Sequence, residues 1–328
     1  MNQNISVNKF RGMVWGAILG DVLGSAYEHT RKKPPLELPN PLIAKSWLYR
    51  SMHSNFTTIT PAGHATDDTE MTIATLRAIL NQNFAKEYLD WGKTHCSFAG
   101  KNTRKYLFNI ATLRGLNARI DRFYDENAHA ESNGFLMRAS PLVLLADEDM
   151  YYESARLTGN YNEACCKRLR EYVNILKVLV APGGSINNVI SPITSIRLEQ
   201  VGSRDIKGYS ECAMFCCRDY IEWSRNAHHT FLETMQRVIS FGGDTDTNAC
   251  IVGAIAGANI GMHEMFRDTN VRANMDLILQ CHAIRRKYDA YMNIEDMQPA
   301  YPQRPEDYHP RCVDTLINIA AERWHMQD

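Results

Sequence analysis

Residues Phe10–His29 read FRGMVWGAILGDVLGSAYEH, in which Gly12, Gly16, Gly20 and Gly24 recur at every fourth position. Glycine inside a helix costs about 1 kcal/mol relative to alanine, so a regular series of glycines needs a compensating contact. A spacing of four places these glycines on one face of a helix, where another backbone can approach closely. The sequence therefore predicts a helix here that packs tightly against a second helix.

The same spacing of glycines recurs in CIVGAIAGANIG at Cys250–Gly261. Apolar residues also follow helical spacing within residues 73–80, 169–179, 232–239 and 277–284. The best candidate for a β-strand is Val189–Ile196, which Pro192 interrupts. We therefore expect an all-α protein, folded as a single compact, orthogonal multi-helix domain over residues 1–328.

The composition excludes several classes of protein. The 328 residues include 36 Lys or Arg against 37 Asp or Glu, and 45% are apolar, which indicates a soluble globular protein without a broad basic surface for nucleic acid. Nine cysteines without a C-x-x-C spacing argue against a zinc ribbon or a redox pair and favour reduced thiols. Because neither a secretory signal nor a membrane-spanning run is recognisable, we expect a cytoplasmic protein with no membrane partner.

Acidic residues accompany both glycine-rich segments. Asp21 lies within the first one, and Glu28 follows it. Residues Thr66–Thr69 read TDDT ahead of an apolar helical series, and Asp244–Thr247 read DTDT ahead of the second glycine-rich segment. Each short cluster is also explained as a helix N-terminus, where Thr and Asp bind free backbone amides. A second acid in the same turn adds repulsion unless a cation shares the site, which weakens that explanation for Asp244 and Asp246.

Five acids from three distant segments could therefore surround divalent cations: Glu28, Asp67, Asp68, Asp244 and Asp246. Carboxylate and hydroxyl oxygens suit Mg²⁺ or Mn²⁺ better than Zn²⁺. Two such ions about 4 Å apart can hold the hydroxyls of a substrate and activate a water. The residues alone thus predict a helical protein with a hard-metal site that has room for two ions.

Four motifs in this order resemble those of the ADP-ribosylglycohydrolase family. They are GAILGDVLGSAYEH at Gly16–His29, GHATDDTEMTIATL at Gly63–Leu76, SNGFLMRASPL at Ser132–Leu142, and SFGGDTDTNACIVGAIAGANIG at Ser240–Gly261. The segment FAGKNTRKYL at Phe98–Leu107 is similar to the glycine-threonine substrate loop of the family. The resemblance implies an all-α fold with two Mg²⁺ or Mn²⁺ ions, a binuclear centre, at the bottom of a cleft.

The resemblance also implies roles for particular residues. The implied metal ligands are Thr66, Asp67, Asp68, Asp244, Asp246 and Thr247. The implied catalytic residues are Glu28, Asp67 and Asp246. The implied lining of the ADP-ribose pocket is Gly100, Asn133, Gly134 and Phe135. The implied reaction is hydrolysis at the anomeric carbon of the distal ribose, which releases ADP-ribose from a protein side chain or a small conjugate while a carboxylate moves protons.

Two positions depart from the pattern of the family. Gly159 stands where a histidine commonly follows Leu-Thr, so we expect either a lost contact with ADP-ribose or a substitute such as Tyr161 or Arg138. Phe135 stands where the family prefers a small residue, and it could reshape the pocket. Together they keep open a second interpretation, in which the chain is a catalytically weak ADP-ribose-binding module that retains the metal site.

Other interpretations receive less support from the sequence. An isoprenoid-type synthase would place its aspartates at Asp-x-x-x-Asp-like spacing along one helix, and the acids here are adjacent or alternate. Tyr106, Phe135 and Tyr209 are candidates for stacking on adenine, although burial in the core is the more common role of such residues. The acceptor linkage, to which residues 31–54 would contribute as a rim loop, stays open. The choice between Mg²⁺ and Mn²⁺ and the oligomeric state also stay open.

Overall fold

The computed structural model describes residues 4–28, 34–50, 57–96, 98–123, 130–203, 208–281 and 305–328. Its α-helices are α1 (Val7–Ser25), α2 (Asp67–Asn81), α3 (Phe84–Gly92), α4 (Lys101–Leu107), α5 (Leu113–Phe123), α6 (Asp149–Arg156), α7 (Glu163–Val180), α8 (Leu198–Val201), α9 (Ser210–Ser224), α10 (Phe231–Ser240), α11 (Thr245–Ile260), α12 (Met262–Met265), α13 (Thr269–Gln280) and α14 (Val313–Arg323). The predicted all-α class is confirmed.

A single antiparallel pair of short strands is also present in the described part of the chain. Strand β1 (Trp47–Arg50) pairs with β2 (Thr57–Thr60), and Trp47 lies opposite Thr60. The sequence analysis did not predict these strands, because four residues are too few for a period of two to be distinguished. The candidate strand Val189–Ile196 is not formed. The carbonyl of Val189, which in a sheet would accept from a neighbouring strand, accepts instead from the Arg225 guanidinium.

Helices α1 and α11 form the centre of the core. Every residue of α1 from Gly12 to Ser25 is buried, and so is every residue of α11 from Thr245 to Ala258. A helix that is apolar on all sides is stable only when other elements surround it. The buried side chains of the described residues join into one hydrophobic cluster that extends from Ile5 to Ala320. Whether residues 1–328 form one domain stays a prediction.

The glycine series of α1 faces the glycine series of α11. A Cβ added to Gly16 would overlap the carbonyl oxygen of Gly253, and a Cβ on Gly253 would overlap that of Gly16. Gly12 meets Gly257 in the same way, while Gly24 meets Thr245 at the other end. The two helices are therefore antiparallel and touch backbone to backbone. This arrangement confirms the predicted tight packing and brings the end of α1 against the start of α11.

The remaining sequence features are consistent with an ordinary helical interior. None of the nine cysteines forms a disulfide, and seven of them are buried. Among the described helices, none combines the length and the apolar character that crossing a membrane would require. The end of the helical spacing predicted within residues 277–284, from residue 282 onward, lies outside the described residues.

Candidate metal centre and active site

Three helix ends meet at one point of the fold. The last turn of α1 carries Asp21, the first turn of α2 carries Asp67 and Asp68, and the first turn of α11 carries Asp246. The contact between Gly24 and Thr245 fixes the first of these ends against the third. The Thr245 hydroxyl strengthens that contact by donating to the carbonyl of Gly24 at 2.8 Å. The acids that the sequence separates by many residues are thereby brought together.

Asp21 joins the end of α1 to the start of α2. Its Oδ2 accepts from the amides of Thr66 and Thr69 at 2.9 and 3.2 Å and from the Thr69 hydroxyl at 2.5 Å. Its Oδ1 accepts from the Thr66 hydroxyl at 2.7 Å. Amides at the start of a helix have no partner within the helix, so a buried carboxylate that accepts from them fixes its position. Asp21 therefore sets where the TDDT turn lies.

The carboxylates form two groups that share one member. Oxygens of Asp21, Asp68 and Asp246 lie within 4.8 Å of one another, and so do oxygens of Glu28, Asp244 and Asp246. Within the described residues, no Lys, Arg or His forms an ion pair with any aspartate of these groups or with Asp67. Like charges this close are unfavourable unless protons or cations neutralise them. The arrangement offers two adjacent positions for cations, with Asp246 between them.

Burial dominates the electrostatics of this cluster. It raises the pKa of Asp67 to about 7, and the neighbouring charges of Asp21 and Glu70 contribute to the increase. Burial, followed by the charges of other acids in the cluster, also raises the pKa values of Asp68 and Asp246 well above the ordinary value of an aspartate. A hydrogen bond from the Gly100 amide acts in the opposite direction on the Asp67 carboxyl group. Without cations, these acids therefore bind protons at higher pH than an ordinary aspartate does.

The donor set fits a hard divalent cation. Asp68 Oδ1 is buried and has no hydrogen-bond partner, while its Oδ2 accepts from the hydroxyls of Thr66 at 3.2 Å and Thr247 at 3.4 Å. A buried oxygen without a partner is costly, and a cation at this point would satisfy it. Carboxylate and hydroxyl oxygens are the ligands that Mg²⁺ and Mn²⁺ prefer.

The segment SNGFLMR (Ser132–Arg138) lies against the acid cluster. The side-chain amide of Asn133 donates to Asp244 Oδ2 at 2.8 Å, and its backbone amide donates to the carbonyl of Gly208 at 2.8 Å. Gly134 is half-buried next to it, while Gly100 is exposed and has open space at the position of a Cβ. Asn133 thus contacts Asp244 of the cluster, and Gly100 contacts Asp67.

Two predicted features of the pocket take a different form in the structure. Phe135 is only 1% exposed and packs in the hydrophobic core, so its ring does not line an open pocket in this structure. Gly159 has a φ of 77°, and a Cβ there would overlap the ring of Tyr106. The space beside Gly159 is therefore not vacant, because the aromatic ring of Tyr106 fills it.

Of the two expected substitutes for a histidine at residue 159, Arg138 is buried and Tyr161 is exposed. Arg138 is fully buried, and its guanidinium donates to the Tyr88 hydroxyl at 3.1 Å and to the Ser154 carbonyl at 2.9 Å. Its donors are directed at the protein, so Arg138 does not reach a ligand in this structure. Tyr161 is 43% exposed and its ring contacts Tyr152.

Two residues of this region have places in the structure that the sequence did not predict. Asp21 was noted within the first glycine series but was not counted among the ligand candidates, although its position inside an apolar helix was the signal available. Tyr209 was considered only for stacking on adenine, and the structure leaves its side chain 43% exposed beside Gly208. A Cβ at Gly208 would lie 3.1 Å from Asp244 Oδ2, so Tyr209 follows a residue that touches the acid cluster.

Comparisons with known proteins agree with this geometry. The family model described as ADP-ribosylglycohydrolase matches residues 2–273. The ADP-ribosyl-[dinitrogen reductase] glycohydrolase of Rhodospirillum rubrum is 24% identical over 302 residues, which cover 86% of this chain and 94% of that protein. The ADP-ribosylhydrolase ARH3 of Mus musculus is 27% identical over 327 residues, covering 79% of this chain and 86% of that protein.

A solved structure shares the fold. It is titled an ADP-ribosylglycohydrolase-related protein complex, and it superposes with a TM-score of 0.53 at 22% identity, covering 83% of this chain and 98% of that chain. The family match includes the ends of α1 and α2 and the whole of α11, which together carry the acid cluster. The chain belongs to the ADP-ribosylglycohydrolase family of glycosyl-bond hydrolases.

Proposed function

We propose that this chain is a metal-dependent hydrolase that cleaves the glycosidic bond between ADP-ribose and an acceptor and releases ADP-ribose. The observation that carries the proposal is the group of buried acids where α1, α2 and α11 meet, with no basic partner for its aspartates among the described residues. The membership of the family supplies the reaction class, and the acids supply a reason for metal dependence. The acceptor would be a protein side chain or a small conjugate; the name of the Rhodospirillum rubrum relative indicates a protein, dinitrogen reductase, as the acceptor for that relative.

The cofactors in this proposal are two divalent ions, Mg²⁺ or Mn²⁺. The residues that would hold them are Thr66, Asp67, Asp68, Asp244, Asp246 and Thr247, with Asp21 fixing the TDDT turn that supplies three of the six. When bound, such ions supply positive charge that orients ribose hydroxyls and makes a water more acidic. The two carboxylate groups that share Asp246 support the proposed number of ions.

The protein side chains would divide the rest of the reaction between them. Glu28 is half-buried and its carboxylate lies within 4.8 Å of Asp244 and Asp246, so it is placed to accept a proton from a water or to return one to the leaving group. Asn133, held by Asp244, and the backbones of Gly100 and Gly134 would position the ADP-ribose. Tyr209, exposed beside Gly208, offers an aromatic surface for the adenine.

An activity screen tests this proposal. Peptides with ADP-ribose on arginine or on serine, and an O-acetyl-linked conjugate, are incubated with the protein and Mg²⁺ or Mn²⁺, and free ADP-ribose is quantified. We expect turnover on at least one linkage, its loss in chelator, and its return when metal is added. Binding of ADP-ribose without any release would instead support the alternative of a catalytically weak binding module.

Asp246→Asn tests the metal ligands directly. Asp246 belongs to both carboxylate groups, and an asparagine amide is a poorer metal ligand than a carboxylate. We therefore expect kcat to decrease about a hundredfold or more while the fold persists. The matched control is Asp268→Asn, since Asp268 caps α13 through the amide of Asn270 and asparagine caps equally well. Full activity of Asp246→Asn in chelator-treated buffer would refute the assignment.

A further inference from the structure

Basic residues are concentrated on α4, α5 and the segment before them. From Trp91 to Phe123 the sequence contains seven Lys or Arg and one acidic residue, Asp121, whereas the whole chain balances 36 basic against 37 acidic residues. A local excess of one sign attracts partners of the opposite sign even when the molecule is nearly neutral. We call the residues Lys101, Arg114, Arg119 and Arg122 the basic ridge.

The packing of α5 turns these charges outward. Leu116 and Ile120 are buried one turn apart on α5, while Arg114 and Arg122 are exposed. The guanidinium of Arg119 donates to the carbonyls of Lys105 at 2.9 Å and Phe108 at 3.1 Å, so its hydrogen bonds neutralise no charge. The apolar face of the helix therefore packs on the protein, and a positively charged face is left to the solvent.

The exposed cations of the ridge lack the acidic partners that other surface cations have. Lys86 pairs with Asp90 at 2.6 Å, and Arg170 pairs with Glu148 at 2.8 Å. Over the described ranges of the chain, no carboxylate lies within 4.0 Å of the charged atoms of Lys101, Arg114 or Arg122. The positive charge of the ridge is therefore available to a partner.

The ridge begins at the edge of the candidate cleft. Lys101 is the first residue of α4 and follows Gly100, whose amide bonds to the carboxylate of Asp67. The next residue, Asn102, donates to the Ser132 hydroxyl at 3.2 Å, next to Asn133. A macromolecule whose ADP-ribose occupies the cleft would therefore bring its adjoining surface against α4 and α5.

We propose that the basic ridge docks the acidic surface around the modified residue of an ADP-ribosylated protein, an inference that rests on the proposed function. Leu113, which is 48% exposed beside Arg114, favours a protein over a nucleic acid as the occupant. Arginine and apolar anchors are typical of protein interfaces, whereas nucleic-acid surfaces combine cations with stacking aromatic rings. The ridge selects substrates by their charge, and the cleft performs the hydrolysis.

The double variant Arg114→Glu/Arg122→Glu tests this role. Two peptides carry ADP-ribose on the same acceptor residue, one flanked by Asp and Glu and the other by neutral residues. We expect kcat/KM on the acidic peptide to fall about tenfold or more, with kcat/KM on the neutral peptide unchanged. The preference should also disappear in about 1 M NaCl, where the Debye length is about 3 Å. The control Lys167→Glu/Arg267→Glu has the same change of charge on α7 and after α12, and should leave both peptides unaffected.

Several results would overturn the inference. An equal loss on both peptides would assign Arg114 and Arg122 to the stability of the fold, and no loss on either would remove the ridge from recognition. Tighter binding of a single-stranded oligonucleotide than of the acidic peptide would identify a nucleic acid as the partner. If the unaltered protein hydrolyses neither peptide, the proposed function fails. Fluorescence anisotropy, which measures binding of the two peptides, then still tests the role of the basic ridge. Preferential binding of the acidic peptide that is lost in the double variant would support it, and equal binding of both peptides would refute it.

Discussion

At the scale of single residues, Asp21 holds the start of α2 against the end of α1 by accepting hydrogen bonds from Thr66 and Thr69. The pair Asp244 and Asp246 could be proposed as ligands from the sequence, because a second acid in one helical turn adds repulsion without a cation. The role of Asp21 could not be assigned, because it depends on where the amides of Thr66 and Thr69 lie after folding. The sequence likewise could not show what lies beside Gly159, because the Tyr106 ring reaches that space only after folding.

Asp21→Asn should separate the structural role of this residue from its charge. The amide oxygen can still accept from the amides of Thr66 and Thr69, so we expect a folded protein with little change in Tm. The negative charge is lost, and the affinity for Mn²⁺ should fall about tenfold or more in a calorimetric titration. Asp21→Ala removes all four acceptor contacts and should destabilise the fold by about 3 kcal/mol or more. Unchanged metal affinity in Asp21→Asn would contradict the contribution of this charge.

Glu28→Gln tests proton transfer at the cleft. Glutamine keeps the volume of the side chain but cannot accept a proton, so kcat should decrease about a hundredfold or more while the dissociation constant of ADP-ribose stays within about twofold. Single-turnover kinetics together with calorimetry measure the two quantities separately. A loss confined to affinity would reassign Glu28 to positioning of the substrate.

At the scale of elements, the glycine series were the most informative part of the sequence. Their spacing predicted two helices in backbone contact, and the structure pairs α1 with α11 along their whole buried length. Their antiparallel direction could not be predicted, because the spacing is the same in both directions. The hairpin of β1 and β2 was missed since its strands are shorter than a recognisable alternation.

Gly253→Ala should disrupt this pairing where α11 meets Gly16. The added methyl group would overlap the backbone of Gly16, which is not a flexible side chain that can move aside. We expect a loss of about 3 kcal/mol in the free energy of unfolding, at the upper end for an overpacked core, together with weaker metal binding. Gly115→Ala on α5 is the matched control, since a Cβ there meets only side-chain atoms at 3.3 and 3.4 Å. Equal stability of the two variants would show that the helices can separate without cost.

At the scale of the whole molecule, the acid cluster makes stability depend on metal and on pH together. Asp67, Asp68 and Asp246 have pKa values raised by burial, so without metal the folded state binds more protons than the unfolded chain above about pH 4. Their contribution to stability is therefore complete below that pH and is lost as the pH rises through the raised pKa of each group, which for Asp67 is about 7. Metal ions replace the protons and restore that stability.

The increase in Tm caused by Mn²⁺ should accordingly be larger at pH 8 than at pH 5.5. At the lower pH, metal has to displace protons, which weakens its apparent affinity. Thermal unfolding in chelator and in saturating Mn²⁺ at both pH values measures this difference. The double variant Asp68→Asn/Asp246→Asn should lose both the metal effect and its pH dependence. A metal-induced shift of equal size at the two pH values would contradict the linkage.

The pairing of α1 with α11 also sets the order of events during synthesis. The bond from Thr245 to the carbonyl of Gly24 joins residues 221 positions apart, and translation at about 5–20 residues per second needs on the order of ten to forty seconds to cover that interval. During this time α1, buried on all sides in the finished protein, has left the ribosome without its partner. The nascent chain is therefore exposed to aggregation until α11 emerges, and metal can be loaded only after Asp244 and Asp246 have left the ribosome.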